Sequence, residues 1–324
     1  MNQVYRIRLC PRSAWRTPWQ SDTLVGLLCW TCARTEGVAV LQRELIEPMR
    51  SGTPPFVVSD AFPGDLFPVP ALVRLGTWPP EVRKRVKRAH WILGRAFDEF
   101  RRGRLVQIQD LVADSPIVEQ TRTRNTTGRK TDTPGLEGSL FDVLEFQLDR
   151  RNPALRDCDW LSVYARVVPQ REDLLTSLFA ELADLGFGAD SSTGSGAFEF
   201  PDGRPVLEPV EWLSHVPDDA DGVIVLSTFQ PTAHDPVDGW WESFTKFGKL
   251  GPDFGIADVR KNTVILIRPG ACFRDPTLKP FLGRAIPMDE LLPLATVRGL
   301  AERGASVIHP AFGLAVPTVL QSTV

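Results

Sequence analysis

The chain has 324 residues, 43% of them hydrophobic and 24% charged, and these proportions describe one large or two ordinary folded domains and exclude extensive disorder. It contains no run of about 18 uncharged apolar residues, and Arg6 and Arg8 interrupt the N-terminal apolar pattern, so neither a membrane span nor a signal peptide is predicted. Five scattered cysteines, an odd number, argue against a disulfide framework. We therefore expect a cytoplasmic protein.

The net charge of −3 conceals an uneven distribution along the chain. Residues 1–131 contain 21 Lys and Arg against 12 Asp and Glu, whereas residues 132–324 contain 16 against 28. The basic part is mainly arginine, which suits bidentate phosphate contacts. A basic face of this kind is typical of a nucleic-acid-binding protein, and the alternative is two oppositely charged solvated faces with no ligand.

The first 80 residues predict a strand, two helices, a second strand and a loop. Polar and apolar side chains alternate from Val4 to Leu9, and Ser21, Asp22 and Thr23 supply N-cap oxygens for a helix that continues to Ala33. The remaining elements are a helical stretch over residues 38–50, a strand over 56–59 and a proline-rich loop over 60–80.

Two basic segments follow. Residues 81–104 have helical apolar spacing and nine basic against three acidic residues, which predicts one basic helix. Residues 120–133 alternate Thr and Arg up to an Asn-Thr-Thr-Gly turn, which predicts a polar β-hairpin. Because this hairpin has no apolar face, it requires a partner for stability.

The next elements complete a recognisable order. Strands are predicted at 140–148 and 160–168, a helix at 172–185, a Gly/Ser-rich loop at 186–198 and a strand at 198–200. This order predicts an α+β fold in which residues 1–203 form a ferredoxin-like (RRM-like) domain with an insertion of about residues 60–138. Residues 204–324 are predicted to form a second, degenerate ferredoxin-like or β-rich half, with strands at 222–227, 262–267, 306–309 and 314–318.

No group of residues predicts catalysis, a metal site or a cofactor. Cys29 and Cys32 form a CxxC inside the first predicted helix, where buried thiols are the expected state. The four histidines lack metal-ligand spacing, although His90, on the basic helix, could serve a metal-independent ribonuclease. In the Gly/Ser-rich loop, glycines alternate with hydroxyl residues, so its backbone N–H groups could approach a polyanion closely.

Four segments in order resemble the RAMP (repeat-associated mysterious protein) superfamily of CRISPR systems, and within it the type III-A (Csm) effector subunit that caps the 5′ end of the guide RNA. They are Ser13–Gly26, Thr123–Arg129 leading to Gly138-Ser139-Leu140-Phe141, Gly186–Phe198, and His309-Pro310-Ala311-Phe312-Gly313. The family's usual Asn-x-Ile-[Asp/Asn]-Arg is here Asn125-Thr-Thr-Gly-Arg129.

The resemblance implies a non-catalytic subunit that grips the crRNA 5′ handle with the Gly-rich loop and first-helix residues, while the hairpin acts as a thumb on the guide–target RNA duplex. The implied partners are crRNA, target RNA, the large polymerase-like subunit and the backbone RAMP subunits. The implied RNA-binding residues are Arg16, Ser21, Asp22, Thr23, Arg122, Arg124, Asn125, Arg129, Lys130, Gly186, Gly188, Ser191, Ser192, Gly194, Ser195 and Gly196. Two alternatives remain: an endoribonuclease that processes precursor crRNA, and the equivalent subunit of a type III-B (Cmr) complex.

Overall fold

The computed structural model describes residues 3–125, 140–156, 158–248, 250, 260–302 and 307–320, the side chain of residue 125 excepted. The strands in these ranges are β1 Val4–Pro11, β2 Phe56–Pro63, β3 Leu66–Pro68, β4 Trp91–Leu93, β5 Leu111–Val112, β6 Ile117–Asn125, β7 Leu140–Leu148, β8 Leu161–Val167, β9 Phe198–Glu199, β10 Glu208–Pro209, β11 Gly222–Val225, β12 Gly239–Trp240, β13 Ser243–Lys246, β14 Val264–Ile267, β15 Cys272–Arg274, β16 Phe281–Pro287 and β17 Ile308–Thr318.

The α-helices in the same ranges are α1 Ser21–Thr35, α2 Val38–Leu41, α3 Glu47–Arg50, α4 Ala71–Leu75, α5 Pro80–Arg88, α6 Gly94–Arg101, α7 Glu172–Leu185, α8 Glu211–Ser214, α9 Met288–Leu291 and α10 Leu294–Glu302. A π-helical turn, Gln42–Ile46, joins α2 to α3, so residues 38–50 are helical as predicted. The strand pairs are antiparallel, which confirms the α+β prediction.

The main sheet has the strand order β10-β1-β8-β2, with β9 paired to the end of β1. Ile7 and Leu9, which share one face of β1 in the predicted alternation, are buried, and Val4 is buried as well on the other face. The register of β2 against β8 shifts between Val58 and Ala61. Such an irregularity redirects side chains, and here it places Asp60 toward the second half of the chain.

A second sheet, with the order β12-β15-β11-β17-β16, follows in the second half. The sequence predicted two strands at 306–309 and 314–318, which was wrong: β17 is one strand of 11 residues, all buried. Its first part pairs with β16 and its last part with β11. The strand changes partner at about Leu314. It runs without a break through the Pro-Ala-Phe-Gly segment, which lies between the two strands predicted from the sequence.

Residues 60–80 are not a loop. β2 continues to Pro63, β3 and α4 follow it, and α5 begins at Pro80. Pro63 and Pro68 lie at strand ends. Pro70 and Pro79 are the N-cap residues of α4 and α5, and Pro80 is the first residue of α5, where no backbone N–H is required. Proline content alone was therefore misleading, since Phe62 and Phe67, each directly before a proline, are buried.

The predicted single helix over 81–104 is also wrong, because β4 separates α5 from α6. β4 pairs with β3 on one side and β5 on the other and buries Ile92 completely. The apolar residues keep a helical spacing across the three residues of β4. Tertiary strand pairing overrides this spacing there.

The basic hairpin pairs differently from the sequence prediction. β6 pairs with β7 along its full length, from Ile117 opposite Leu148 to Asn125 opposite Leu140. The strand predicted at 140–148 therefore belongs to this hairpin, which we call the thumb hairpin, and not to the main sheet. Of the predicted Asn-Thr-Thr-Gly turn, Asn125 is the last residue of β6, and residues 126–128 lie outside the described residues.

A buried guanidinium joins the insertion to the second half. Arg101, at the end of α6, is 1% exposed and donates hydrogen bonds to the carbonyl oxygens of Pro317 (2.9 Å), Trp212 (2.6 Å) and His215 (2.8 Å). Burial lowers its pKa to about 10, so it remains charged at neutral pH. One side chain thus satisfies three carbonyls from β17 and from the segment around α8.

Arg101→Ala should lower the free energy of unfolding by about 3–5 kcal/mol, because it removes the shared donor and leaves buried carbonyls unsatisfied. Urea denaturation followed by circular dichroism measures this change. Arg102→Ala is the matched control, since Arg102 is half exposed and pairs only with Asp98 in the described residues; its cost should stay within about 0.5 kcal/mol. Equal costs for the two variants would contradict the structural role of Arg101.

Candidate nucleic-acid interface

The glycine-rich loop after α7 is held closed on itself. The N–H of Phe187 donates to the carbonyl of Gly196 at 2.9 Å, and the Phe187 ring stacks on Trp19 with centroids 3.7 Å apart. Gly196 has a φ of +69°, and a Cβ at this position would lie 2.0 Å from the Phe187 carbonyl oxygen. Only glycine fits there, so Gly196 is a structural residue.

The loop also attaches to the segment that leaves β1. The N–H of Gly196 donates to the Ala14 carbonyl at 2.9 Å, and the N–H of Ala189 donates to the Thr17 hydroxyl at 3.1 Å. A third bond runs from the N–H of Ala197 to the Ser13 hydroxyl at 2.9 Å. Side-chain and backbone groups of residues 13–17 thus fix the loop at both of its ends.

An ionic cluster joins this loop to the thumb hairpin. The Asp190 carboxylate pairs with Arg16, and it also accepts a hydrogen bond from Arg124 of β6 at 3.1 Å. Arg124 in turn contacts Glu145 of β7 at 2.6 Å, and the Glu145 side chain is 3% exposed. Each arginine therefore has a carboxylate partner, and the cluster has no net charge.

The thumb hairpin has a second attachment at its backbone. Trp15 and Phe146 exchange two hydrogen bonds, with Trp15 N to Phe146 O at 2.9 Å and Phe146 N to Trp15 O at 2.7 Å. The sequence predicted that a hairpin without an apolar face needs a partner. That partner is the segment around Trp15, together with Asp190.

The structure brings together some of the predicted RNA-binding residues in this region. Arg16 and Arg124 lie in the ionic cluster, and Arg122 is exposed on β6. In the loop, Ser192 and Gly194 are exposed, Gly186, Gly188 and Ser191 are half-buried, and Ser195 and Gly196 are buried. The side chain of Asn125 and all of Arg129 and Lys130 lie outside the described residues.

The tip of the loop offers hydrogen-bond donors. Asp190 adopts a left-handed conformation with φ +62° and precedes a 3-10 turn over Ser191–Thr193. Within the described residues, the N–H groups of Ser191 and Ser192 have no hydrogen-bond acceptor. Successive N–H groups in such a turn form a concave anion site, so the tip can donate to a phosphate oxygen.

The three predicted first-helix residues lie elsewhere, in a polar seam between α1 and the second half. Asp22 is 2% exposed, and its carboxylate contacts Lys246 Nζ at 2.7 Å and His309 Nε2 at 2.9 Å. Lys246 also donates to the Thr23 hydroxyl at 2.8 Å. The Ser21 hydroxyl donates to the Thr228 carbonyl at 2.9 Å. Their contact with RNA stays a prediction.

A second buried carboxylate completes this seam. Asp60 accepts hydrogen bonds from the N–H of Ser21 at 2.9 Å and from the N–H and hydroxyl of Thr228, both at 2.7 Å. Burial raises the pKa of Asp60 against these hydrogen bonds. For Asp22, burial opposes ionisation, but the His309 hydrogen bond and the Lys246 charge outweigh it and lower the pKa to about 2.

Sequence reasoning missed Asp60, Thr228 and Lys246 as partners in this seam. His309 was noted only within the motif of the resemblance, and no local pattern marks the other three. Burial lowers the pKa of His309 despite the nearby Asp22, so the Lys246 ammonium is the main counter-charge of that carboxylate at neutral pH.

The CxxC cysteines and His90, the other candidates from the sequence, have pKa values shifted by their surroundings. Cys29 and Cys32 are buried free thiols of α1, and burial raises the pKa of Cys29 to about 12. Desolvation and the charges of Arg74 and Arg268 lower the pKa of His90. Across the described ranges, no group of three His, Cys, Asp or Glu residues is arranged to bind a metal, and no helix is long and apolar enough to span a membrane.

Comparison with known proteins identifies the fold. No protein-family model and no curated protein matches the chain. The chain is similar, at 16% identity and a TM-score of 0.63, to a chain in the crystal structure of a Csm1–Csm4 cassette in complex with pppApA, with 99% of this chain and 100% of that chain covered. A chain in the Csm3–Csm4 subcomplex of the type III-A CRISPR-Cas interference complex matches at 11% identity and a TM-score of 0.60, covering 97% and 99%.

Csm4 is the subunit that these two assemblies share. The chain has the fold of Csm4. The resemblance that the sequence predicted is therefore confirmed at the level of the overall fold. The match extends over nearly the full length of both chains, so it includes the insertion and the second half as well as the main sheet.

Gly196→Ala should destabilise the loop strongly, by about 3 kcal/mol or more, because the new Cβ would overlap the Phe187 carbonyl and the backbone is left-handed. Gly194→Ala is the matched control: it also has a positive φ, of +85°, but its Cβ would point into open space. Its cost should be about 1 kcal/mol. Thermal or urea unfolding compares the two, and equal costs would contradict the packing described here.

The Asp22 carboxylate predicts a defined pH dependence of stability. Because its pKa is lowered in the folded state, its ionised form contributes roughly 2 kcal/mol above about pH 4, and this contribution is lost as the pH falls toward 2. The difference in unfolding free energy between the wild-type protein and Asp22→Asn should therefore shrink across this window. Urea titrations from pH 6 to about 2 measure it, and a constant difference would contradict the ion pair.

Proposed function

We propose that this chain is a non-catalytic, cytoplasmic RNA-binding subunit of a type III-A CRISPR effector complex. In this role it grips the 5′ handle of the guide RNA and bridges the large polymerase-like subunit to the backbone subunits. The similar structures support the choice of partners, since they are structures of Csm1–Csm4 and Csm3–Csm4 assemblies. The strand order β10-β1-β8-β2 supports a ferredoxin-like interpretation of the first half.

The observation that carries the proposal is the joining of the thumb hairpin to the glycine-rich loop. Arg16 and Asp190 are 174 residues apart in the chain, yet they pair, and Arg124 of the hairpin shares the same carboxylate. This cluster places the exposed side chain of Arg122 on an element connected to the N–H groups of Ser191 and Ser192, which have no acceptor in the part of the chain that the structure describes. An RNA strand could therefore contact backbone donors on the loop and cations on the hairpin together.

A non-catalytic role also accounts for the surroundings of His90. General acid–base cleavage of RNA by His90 would require a second proton-transfer group on the other side of the bound strand. The charged groups that act on His90 are Arg74, Arg268 and Glu242, and none of these belongs to the glycine-rich loop. We expect the isolated chain to leave repeat RNA intact without metal. Cleavage that His90→Ala abolishes would instead establish the endoribonuclease.

The isolated chain should bind single-stranded RNA in a salt-dependent manner. If about four phosphates are neutralised, affinity should fall roughly 50-fold between about 50 and 200 mM salt. Fluorescence anisotropy with an RNA carrying the guide's 5′ sequence measures it. An affinity that does not change with salt would contradict the electrostatic interpretation.

A thumb-hairpin triple variant, Arg122→Ala with Arg129→Ala and Lys130→Ala, should weaken this binding and leave the fold unchanged. Arg124 is kept, because its removal would leave the buried Glu145 without its cation. The control triple variant, Arg204→Ala with Arg260→Ala and Arg298→Ala, removes the same charge from exposed positions in the acidic half. If both triple variants weaken binding equally, net charge alone is responsible and the thumb role is wrong.

A further inference from the structure

Helix α5 presents an unusual concentration of positive charge. It spans nine residues and contains Arg83, Lys84, Arg85, Lys87 and Arg88 against the single acidic residue Glu81. All five basic side chains are exposed, and within the described ranges none has an acidic partner. Elsewhere arginines are commonly paired: Arg95 on α6 contacts Asp110, and Arg102, directly after α6, contacts Asp98.

The basic residues of α5 share one side of the helix. At about 100° per residue, they occupy an arc that faces away from Val82, Val86 and Ala89, of which Val86 and Ala89 are fully buried in the core. Like charges also stand four positions apart, as in Arg83 with Lys87 and Lys84 with Arg88. Such pairs destabilise an isolated helix, so an external anion would relieve a repulsion that no acidic side chain in the described ranges compensates.

The position of α5 connects it to the thumb hairpin. Trp91 follows three residues after the helix ends, which is at most roughly 11 Å of chain. The Trp91 indole N–H donates to the Ser115 hydroxyl at 3.2 Å, and this hydroxyl accepts a hydrogen bond from the N–H of Ile117, the first residue of β6, at 3.2 Å. The C-terminal end of α5 therefore lies beside the base of the hairpin.

We propose that α5 is a second RNA-backbone site, which binds phosphates of a strand that continues past the base of the thumb hairpin. This inference rests on the proposed RNA-binding function and adds a surface to it. RNA fits the helix better than a protein partner does. The cores of protein interfaces are depleted in charged residues, lysine among them, whereas this face of α5 consists of cations with no exposed apolar side chain between them.

The test compares two triple variants of the full chain by titration with fluorescently labelled poly(U). The α5 triple variant is Lys84→Gln with Lys87→Gln and Arg88→Gln. The control is Arg95→Gln with Arg102→Gln and Arg104→Gln, which removes the same charge from the neighbouring exposed side chains that already pair with Asp110, Asp98 and Glu99. A third variant, Lys84→Arg with Lys87→Arg, preserves the charge.

The α5 triple variant should bind poly(U) roughly tenfold or more weakly at low salt, and the slope of log affinity against log salt should fall by about 2 for three lost contacts. The control and the Lys-to-Arg variant should bind as the wild type does, and all should melt at the same temperature. One outcome would overturn only the inference about α5: the wild type binds poly(U), the thumb-hairpin triple variant binds it more weakly, and the α5 triple variant binds it as the wild type does. In that case α5 is not an RNA site and the proposed function stands. No binding by the wild type would overturn both. A variant that keeps RNA affinity but loses a co-expressed acidic partner would make α5 a protein site and overturn the inference.

Discussion

The candidate interface depends on one shared carboxylate. Asp190 pairs with Arg16 from the segment after β1 and with Arg124 from the thumb hairpin, and the second guanidinium also neutralises the buried Glu145. A two-stranded hairpin is marginally stable by itself, so these contacts and the Trp15–Phe146 backbone pair fix its direction. The same contacts occupy cations that the sequence suggests for RNA, and Arg124 thereby serves to position the hairpin.

The polar seam at Asp22 and Asp60 has a similar role between the two halves. Buried carboxylates are costly unless they are paired or hydrogen-bonded, and here the compensating groups, Lys246 and Thr228, come from the other half of the chain. Because separating the two halves would break the contacts of these buried carboxylates, the seam holds the halves in one relative orientation. This rigidity keeps the loop, the hairpin and the second sheet on one frame.

Charge is distributed in two ways over this frame. The arginines of the ionic cluster, Arg16 and Arg124, are paired with carboxylates. They therefore fix the arrangement of the loop and the hairpin and add little net positive potential. The basic residues of α5 and Arg122 of β6 are exposed without acidic partners among the described residues. A polyanion would be attracted to the second group, and the first group would set how the contacting elements are arranged.

The sequence by itself determined the elements whose patterns are local. Alternation gave β1, the spacing of Leu174, Leu175 and Leu178 gave α7, and the order of motifs gave the Csm4-like fold that the structural comparison confirms. Only the tertiary structure decided which elements pair. Ile92 joins a strand in the middle of a helical period, residues 140–148 pair with the hairpin, and Gly196 is buried where its sequence resembles a flexible link. Local sequence carries propensity and period, whereas the partners of Asp190 and Asp22 lie far away in the chain, and no local pattern specifies them.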